Sequence, residues 1–143
     1  MKKKSTKKGR IFIVSNRLPV NIEDTGGEIS LQKSVGGLAT GLSSFYKEKG
    51  GKWIGWPGIN VPEEDKDMRS LVTEKLGEEM CHPVFIPEDK FRGYYNGFSN
   101  STLWPLCHYF WESSIFDSSY WKDYREVNEL FKEEIVKIAE PDD

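Results

Sequence analysis

The sequence predicts an α/β domain: a Rossmann-like, partial parallel sheet flanked by helices. Three observations carry that expectation. Short, nearly continuous apolar runs occur at residues 11–15 (IFIVS), 52–56 (KWIGW) and 82–86 (HPVFI), the pattern of strands buried on both faces. Helical apolar spacings lie between and after them. Glycine and proline stand at the junctions. The resulting order of strand, helix, strand, helix, strand, helices is that of an α/β fold. At 143 residues, with 37% hydrophobic and 30% charged side chains, the chain suits one globular domain or a large piece of one.

Residues 1–10 hold five lysines and one arginine and read as a flexible, solubilising leader. No matching basic face follows, and the net charge is only −3, so neither nucleic acid nor a membrane is an expected partner. After the first strand, Pro19 and the Asp24, Thr25, Gly26, Gly27 stretch mark a loop. Gly36 and Gly37 precede a helix, with Leu38, Leu42, Phe45 and Tyr46 at three- and four-residue spacings. Gly50 and Gly51 stop it. Pro57 and Gly58 close the second strand. Residues 63–79 are highly charged, with Met68, Leu71, Val72 and Leu76 on one side, an amphipathic helix with a solvated outer face. Pro87, Glu88 and Asp89 open another helix. The aromatic-rich stretch 91–110 is interrupted by Gly93, Gly97 and Pro105, which predicts short helices with tight turns. Asp117, Ser118 and Ser119 offer N-caps to a final helix, whose apolar face is Tyr120, Tyr124, Val127, Phe131 and Ile135.

Ligands of such folds sit beyond the carboxyl ends of the strands. Arg17 falls there. Its guanidinium can grip a phosphate through a charge-assisted fork, or pair with a local carboxylate. Gly36 and Gly37 lead into a helix whose free N–H groups suit a phosphate or diphosphate, although a plain loop-to-helix junction looks the same. Tyr94, Tyr95, Asn96, Ser99, Asn100 and Trp104 combine rings with hydroxyls and amides, as sugar sites do and as cores also do. The Cys81–His82 and Cys107–His108 pairs are too closely spaced to share a zinc ion readily. Two cysteines without a secretion signal point to the cytoplasm.

The combination says more than its members. Residues 13–20 (IVSNRLPV), 36–42 (GGLATGL), 53–58 (WIGWPG), 94–100 (YYNGFSN) and 103–109 (LWPLCHY) follow one another in order. This series resembles the trehalose-6-phosphate synthase family of glycosyltransferases, family 20, from about residue 11 to residue 138. The resemblance implies one half of a GT-B fold, in which two Rossmann-like domains face each other across a cleft. It also implies transfer of glucose from UDP-glucose to glucose 6-phosphate, with retention, in trehalose biosynthesis, and with no metal or other cofactor. By motif position, Arg17 would hold the acceptor's phosphate with Tyr95 and Trp104. Trp56 would line the acceptor side. Gly37, with Gly36, would lie at the donor's diphosphate.

One departure qualifies this. The family's His-Asp-Tyr-His motif and its donor-binding domain are absent from the 143 residues. The expectation is therefore a partial, acceptor-side domain over residues 11–143, with the C-terminal donor domain missing and no catalytic set complete. Alone it would be inactive, and it could associate with a synthase chain. The alternatives are a related synthase with another acceptor, such as glycerol 3-phosphate, and a non-catalytic sugar-phosphate-binding or regulatory module.

Overall fold

A computed structural model of the chain describes residues 9–26, 29–34, 37–48, 50–141 and 143. Leader residues 1–8, Gly27 and Gly36, on which some of these expectations rest, lie outside the described residues. Three strands form a parallel sheet in the order β1 (Phe12–Arg17), β4 (Lys52–Trp56), β5 (Cys81–Pro83). Helix α1 (Gly37–Glu48) connects β1 to β4, after a hairpin described below, and α2 (Lys66–Glu78) connects β4 to β5.

The central strand explains its own sequence. Trp53 and Ile54 are adjacent and both buried, because successive side chains point to opposite faces and both faces are covered. Trp53 joins a core with Tyr46 of α1 and Val72 and Leu76 of α2. Its ring meets Tyr46 edge-on at 5.4 Å and 87°. Ile54 joins a second core with Val84, Ile86 and Tyr94. Val127 and Phe131 of the long helix α5 (Ser118–Ile138) close that core. Each fully buried aliphatic side chain contributes about 1.5–3 kcal/mol. Asp117 caps α5 as the sequence suggests, accepting from the Ser119 N–H at 2.7 Å; Asp65, which the sequence reading did not single out, caps α2 by accepting from the Met68 N–H at 3.0 Å. Gly50, at φ +63°, ends α1 in the left-handed conformation that glycine adopts without strain.

Three expectations are corrected. Much of the stretch expected as a loop after Pro19 is paired: β2 (Val20–Asp24) and β3 (Ile29–Lys33) form an antiparallel hairpin, with Val20 opposite Lys33 and Asp24 opposite Ile29. Its alternating Val20, Ile22 and Ile29 turn inward and are buried. The third strand starts one residue early and ends at Pro83, although Val84 and Ile86 beyond it are fully or nearly fully buried. The Val84 N–H still bonds to the Gly55 carbonyl at 2.8 Å.

The third correction concerns the aromatic stretch. After a short α3 (Glu88–Phe91) it forms a π-helix (Arg92–Leu103), then α4 (Trp104–Cys107) and a 3-10 turn (Trp111–Ser113). Gly93 and Gly97 do not break the π-helix. They lie one above the other and let α5 approach: a Cβ on Gly97 would sit 2.6 Å from the Tyr120 ring. Serine hydroxyls reinforce the wide turns, Ser99 Oγ bonding to the Tyr94 carbonyl at 2.9 Å and Ser101 Oγ to that of Asn96 at 2.7 Å, each five residues back.

The ends of the described chain meet. Arg10, placed by sequence at the close of the leader, donates to Asp143 Oδ1 at 2.8 Å and to the Ile138 carbonyl at 2.9 Å. The far edge of β1 has no strand partner among the described residues. Half-exposed Val14 and exposed Val136 flank a cavity of about 450 Å³ there, which Asn16, Tyr94, Phe131 and Ile135 also line. The Asn16 amide oxygen is buried in that region with no hydrogen-bond partner among the described residues.

Candidate functional site

The end of β1 is not a regular strand. Its register with β4 slips between Val14, opposite Ile54, and Arg17, opposite Trp56. Ser15 pins the irregularity: its hydroxyl donates to the Arg17 carbonyl at 2.7 Å and accepts from the Trp53 indole N–H at 2.7 Å. Gly55 makes room, since a Cβ there would lie 2.8 Å from the Ser15 carbonyl oxygen. Bulges of this kind re-aim side chains at the rim of a sheet. Here the side chain is Arg17, exposed at the carboxyl end of the sheet.

Neutral groups surround its guanidinium. The carbon at its centre lies 5.7 Å from the Trp56 ring centroid. Nη2 donates to Asn21 Oδ1, in β2, at 3.2 Å. Gly58, at φ +86°, backs it closely enough that a Cβ would lie 2.9 Å from Nη2. No ion pair joins Arg17 to a carboxylate among the described residues. Arg10 and Lys90 differ: Arg10 pairs with Asp143 and Glu140, and Lys90 with Asp123 and Glu126. The charge on Arg17 is therefore held in place but not cancelled, which is what an anion site needs.

A row of rings continues from it. Trp56 lies 4.4 Å from Phe91, and Phe91 lies 5.4 Å from Tyr95, with tilts of 36° and 31°. Tyr95 is exposed and its neighbour Tyr94 is buried, its hydroxyl pushed up to about 12 by burial. The residue pattern did not separate the two tyrosines, and only the resemblance singled out Tyr95; the π-helix sends that one outward and Tyr94 into the core. Arg17, Trp56 and Tyr95 thus line one open surface, with Phe91 between the last two.

The other sequence-derived candidates lie elsewhere or are otherwise engaged. Trp104 opens α4, is 61% exposed and stacks on His108 at 3.8 Å. No described ring or hydrogen-bond contact joins it to Arg17. Ser99, expected among sugar-binding groups, has its hydroxyl on the Tyr94 carbonyl. Gly37 is exposed at the first turn of the 12-residue α1, and a Cβ there would meet nothing within 4 Å. That leaves its amide approachable by a bulky anion at the helix's positive end.

The cysteine–histidine pairs are not built as metal sites: Cys107 is free and exposed, and His108 stacks on Trp104. Cys81 is buried, which pushes its thiol up to about 11, and His82 Nε2 lies 2.8 Å from Glu134 Oε2. Among the described residues no group of three or more His, Cys, Asp or Glu is placed to hold a metal ion. No described helix is long and apolar enough to cross a membrane. The cavity of about 640 Å³ along α2, lined by Glu63, Lys66, Arg69 and Thr73, lies on its charged outer face, away from these strand ends.

Sequence reasoning missed Asn21, Gly58 and Phe91. Asn21 lay in the supposed loop. Gly58 read only as a strand stop, and its positive φ is the feature that ties it to Arg17. Nothing in the pattern singled out Phe91 from the other aromatics.

Residues 9–143 match the model of glycosyltransferase family 20. The chain belongs to that family. It is 44% identical over 135 residues to a UDP-forming alpha,alpha-trehalose-phosphate synthase of Botryotinia fuckeliana, covering 94% of this chain and 25% of that protein. A crystal structure of such a synthase from Burkholderia xenovorans superposes with a TM-score of 0.67 at 30% identity, over 95% of this chain and 26% of that one. A structure of a B. xenovorans synthase in complex with glucose-6-phosphate superposes with a TM-score of 0.62 at 27% identity, over 92% and 26%. The neighbours are GT-B glycosyltransferases, and the parallel sheet with helices on both faces is part of that architecture. The chain spans about a quarter of the length of these relatives.

Proposed function

We propose that this chain forms the acceptor-sugar half-site of a UDP-forming trehalose-phosphate synthase. The observation that carries the reading is the Arg17 guanidinium, paired with no carboxylate among the described residues and fixed between Trp56, Asn21 and Gly58 at the mouth of the parallel sheet. In this reading Arg17 takes the phosphate of glucose 6-phosphate, the sugar with which the B. xenovorans synthase forms its complex. Tyr95 and Trp104 complete the phosphate's surroundings, while Trp56 and Tyr95 offer ring faces to the C–H surface of a hexose. Gly37 and Gly36 present backbone N–H groups to the diphosphate of UDP-glucose.

Arg17 and the ring faces bind and orient the acceptor. Stabilising the departing UDP takes further groups at the leaving oxygen, and the motifs that supply them in the family are not among these 143 residues. Transfer of glucose with retention is therefore proposed for the assembled synthase and not for this chain alone. The remainder of a synthase chain would join at the far edge of β1, which has no strand partner among the described residues and is bordered by exposed Val14 and Val136. The reaction is proposed to need no metal or other cofactor, and the compartment to be the cytoplasm.

The test is thermal melting of the purified chain with glucose 6-phosphate and, separately, with glucose. Binding to the folded state alone raises the melting temperature by mass action. A rise is expected with the phosphorylated sugar and not with glucose, and Arg17→Ala should abolish it while leaving the unliganded melt unchanged. Equal responses to both sugars, or none in a folded chain, would overturn the reading. A larger rise with glycerol 3-phosphate would favour the alternative acceptor. The run of rings from Trp56 to Tyr95 gives a hexose more surface than a three-carbon chain can cover.

A further inference from the structure

The irregular end of β1 and the hairpin behind it converge on one side chain that no sequence motif marks. We infer that Asn21 is the positioning residue of the anion site: its amide oxygen aims the Arg17 guanidinium while leaving the positive charge undiminished. The inference rests on the reading of Arg17 as the phosphate ligand.

The chemistry lies in the choice of acceptor. A guanidinium donates through five N–H groups and has no use for a donor partner, so a hydrogen bond can steer it only through an acceptor. A carboxylate would do so more strongly, but would bring a full negative charge to a group meant to meet a phosphate. The amide oxygen of Asn21 supplies direction without that charge. The other two contacts are built in the same way. Trp56 offers a ring face, and Gly58 offers only its Cα, with φ +86° and no room for a Cβ. Three neutral contacts, one from β2 and two from the end of β4 and the turn after it, hold one exposed arginine. Elsewhere in the fold, Arg10, Lys47 and Lys90 tie segments together through the carboxylates of Asp143, Glu79 and Asp123, while Arg69, another arginine held by neutral groups, spends its donors on the Val61 and Pro62 carbonyls and lies over the Phe85 ring. The hairpin β2–β3 thereby acquires a function, since it carries Asn21 to the end of β1.

The experiment is calorimetric titration of the 143-residue chain with glucose 6-phosphate, and with inorganic phosphate as the phosphate-only probe. It compares Asn21→Ala, Asn21→Gln and Asn21→Asp, each checked by thermal melting. Removing one orienting hydrogen bond should weaken glucose 6-phosphate binding about fivefold in the alanine variant. Glutamine keeps a neutral oxygen and should retain affinity within about threefold. Aspartate should bind the sugar phosphate about tenfold or more weakly, because it pairs with Arg17 and repels the ligand, yet melt at the same or a higher temperature.

A merely structural bond predicts the reverse for aspartate, since a salt bridge would hold Arg17 at least as firmly. An affinity of the aspartate variant at or above that of the alanine variant, or no loss in alanine, overturns the inference while leaving the Arg17 reading intact. If aspartate fails to fold, the alanine and glutamine pair decides: equal losses overturn the inference. Absence of binding by the unmodified chain overturns the Arg17 reading, and this inference with it.

Discussion

Replacing Gly55 by alanine tests how the sheet sets the candidate site. The added Cβ would lie 2.8 Å from the Ser15 carbonyl oxygen, 3.1 Å from the Leu18 nitrogen and 3.2 Å from the Arg17 carbonyl carbon. All three atoms are backbone, so no rotamer change relieves them, and β1 must move away from β4. Overpacking of this kind costs about 1–3 kcal/mol. Against it stands a gain of about 0.4–1 kcal/mol from the stiffer unfolded chain. The net loss is about 1–2 kcal/mol, or about 3–8 °C in melting temperature for a domain of this size. The strand end that moves carries Arg17, so the stabilisation by glucose 6-phosphate should shrink as well. Circular dichroism melts with and without the sugar phosphate read both effects. Gly77→Ala is the control: the residue is helical with nothing within 4 Å of its missing Cβ, and alanine there should stabilise by about 0.5–1 kcal/mol. A Gly55→Ala protein that melts within about 1 °C of the parent and keeps its ligand response would refute the account of the bulge.

Three further outcomes are expected. The two thiols should separate kinetically: at about pH 8 a disulfide reagent should modify exposed Cys107 promptly, and Cys81, buried with its thiol pushed up to about 11, only on unfolding; prompt reaction of both would contradict the packing. Glu134 is held below its usual value of 4.5, because hydrogen bonds from Lys137 and His82 together outweigh burial, the largest single influence, which acts the other way. A depressed carboxylate stabilises the fold above its unfolded value and loses that contribution as pH falls through the folded one, so Glu134→Gln should flatten the fall in melting temperature below about pH 4.5, and an unchanged acid profile would count against the His82–Glu134–Lys137 cluster. Incubated with UDP-glucose and glucose 6-phosphate, the chain alone should yield no trehalose phosphate by chromatography; detectable product would mean that its own residues suffice.

The parts of the fold that the sequence announced are those where one physical demand dominates. The Trp53–Ile54 strand had to be apolar in succession because both of its faces are covered. Asp117 caps its helix because the first-turn N–H groups need acceptors. Legibility failed where two demands overlap. Gly93 and Gly97 looked like breaks because glycine is poor in helices, yet here they yield space to Asp123 and Tyr120 of α5. The β2–β3 hairpin was hidden by its turn residues, although Val20, Ile22 and Ile29 kept the alternation of a half-buried ribbon. Of the candidate site, Arg17 was visible from the apolar run before it, although β1 runs on to include it instead of ending at Ser15, and Trp56 was visible from the resemblance alone. Their joint geometry was not, since it depends on a register slip and on a glycine at positive φ.

The bond between Arg10 and the end of the chain bears on engineering. Two segments far apart in sequence are neighbours in space, joined through Asp143 and the Ile138 carbonyl. That proximity makes the 143-residue chain a candidate for circular permutation, with a short glycine-rich linker across the Arg10–Asp143 contact and new ends cut elsewhere on the surface. The exposed turn Trp111–Ser113 is a suitable place. A permutant opened there would keep β1, β4 and β5 in register and α5 on its face of the sheet, with the linker replacing the arginine as the tie between the ends.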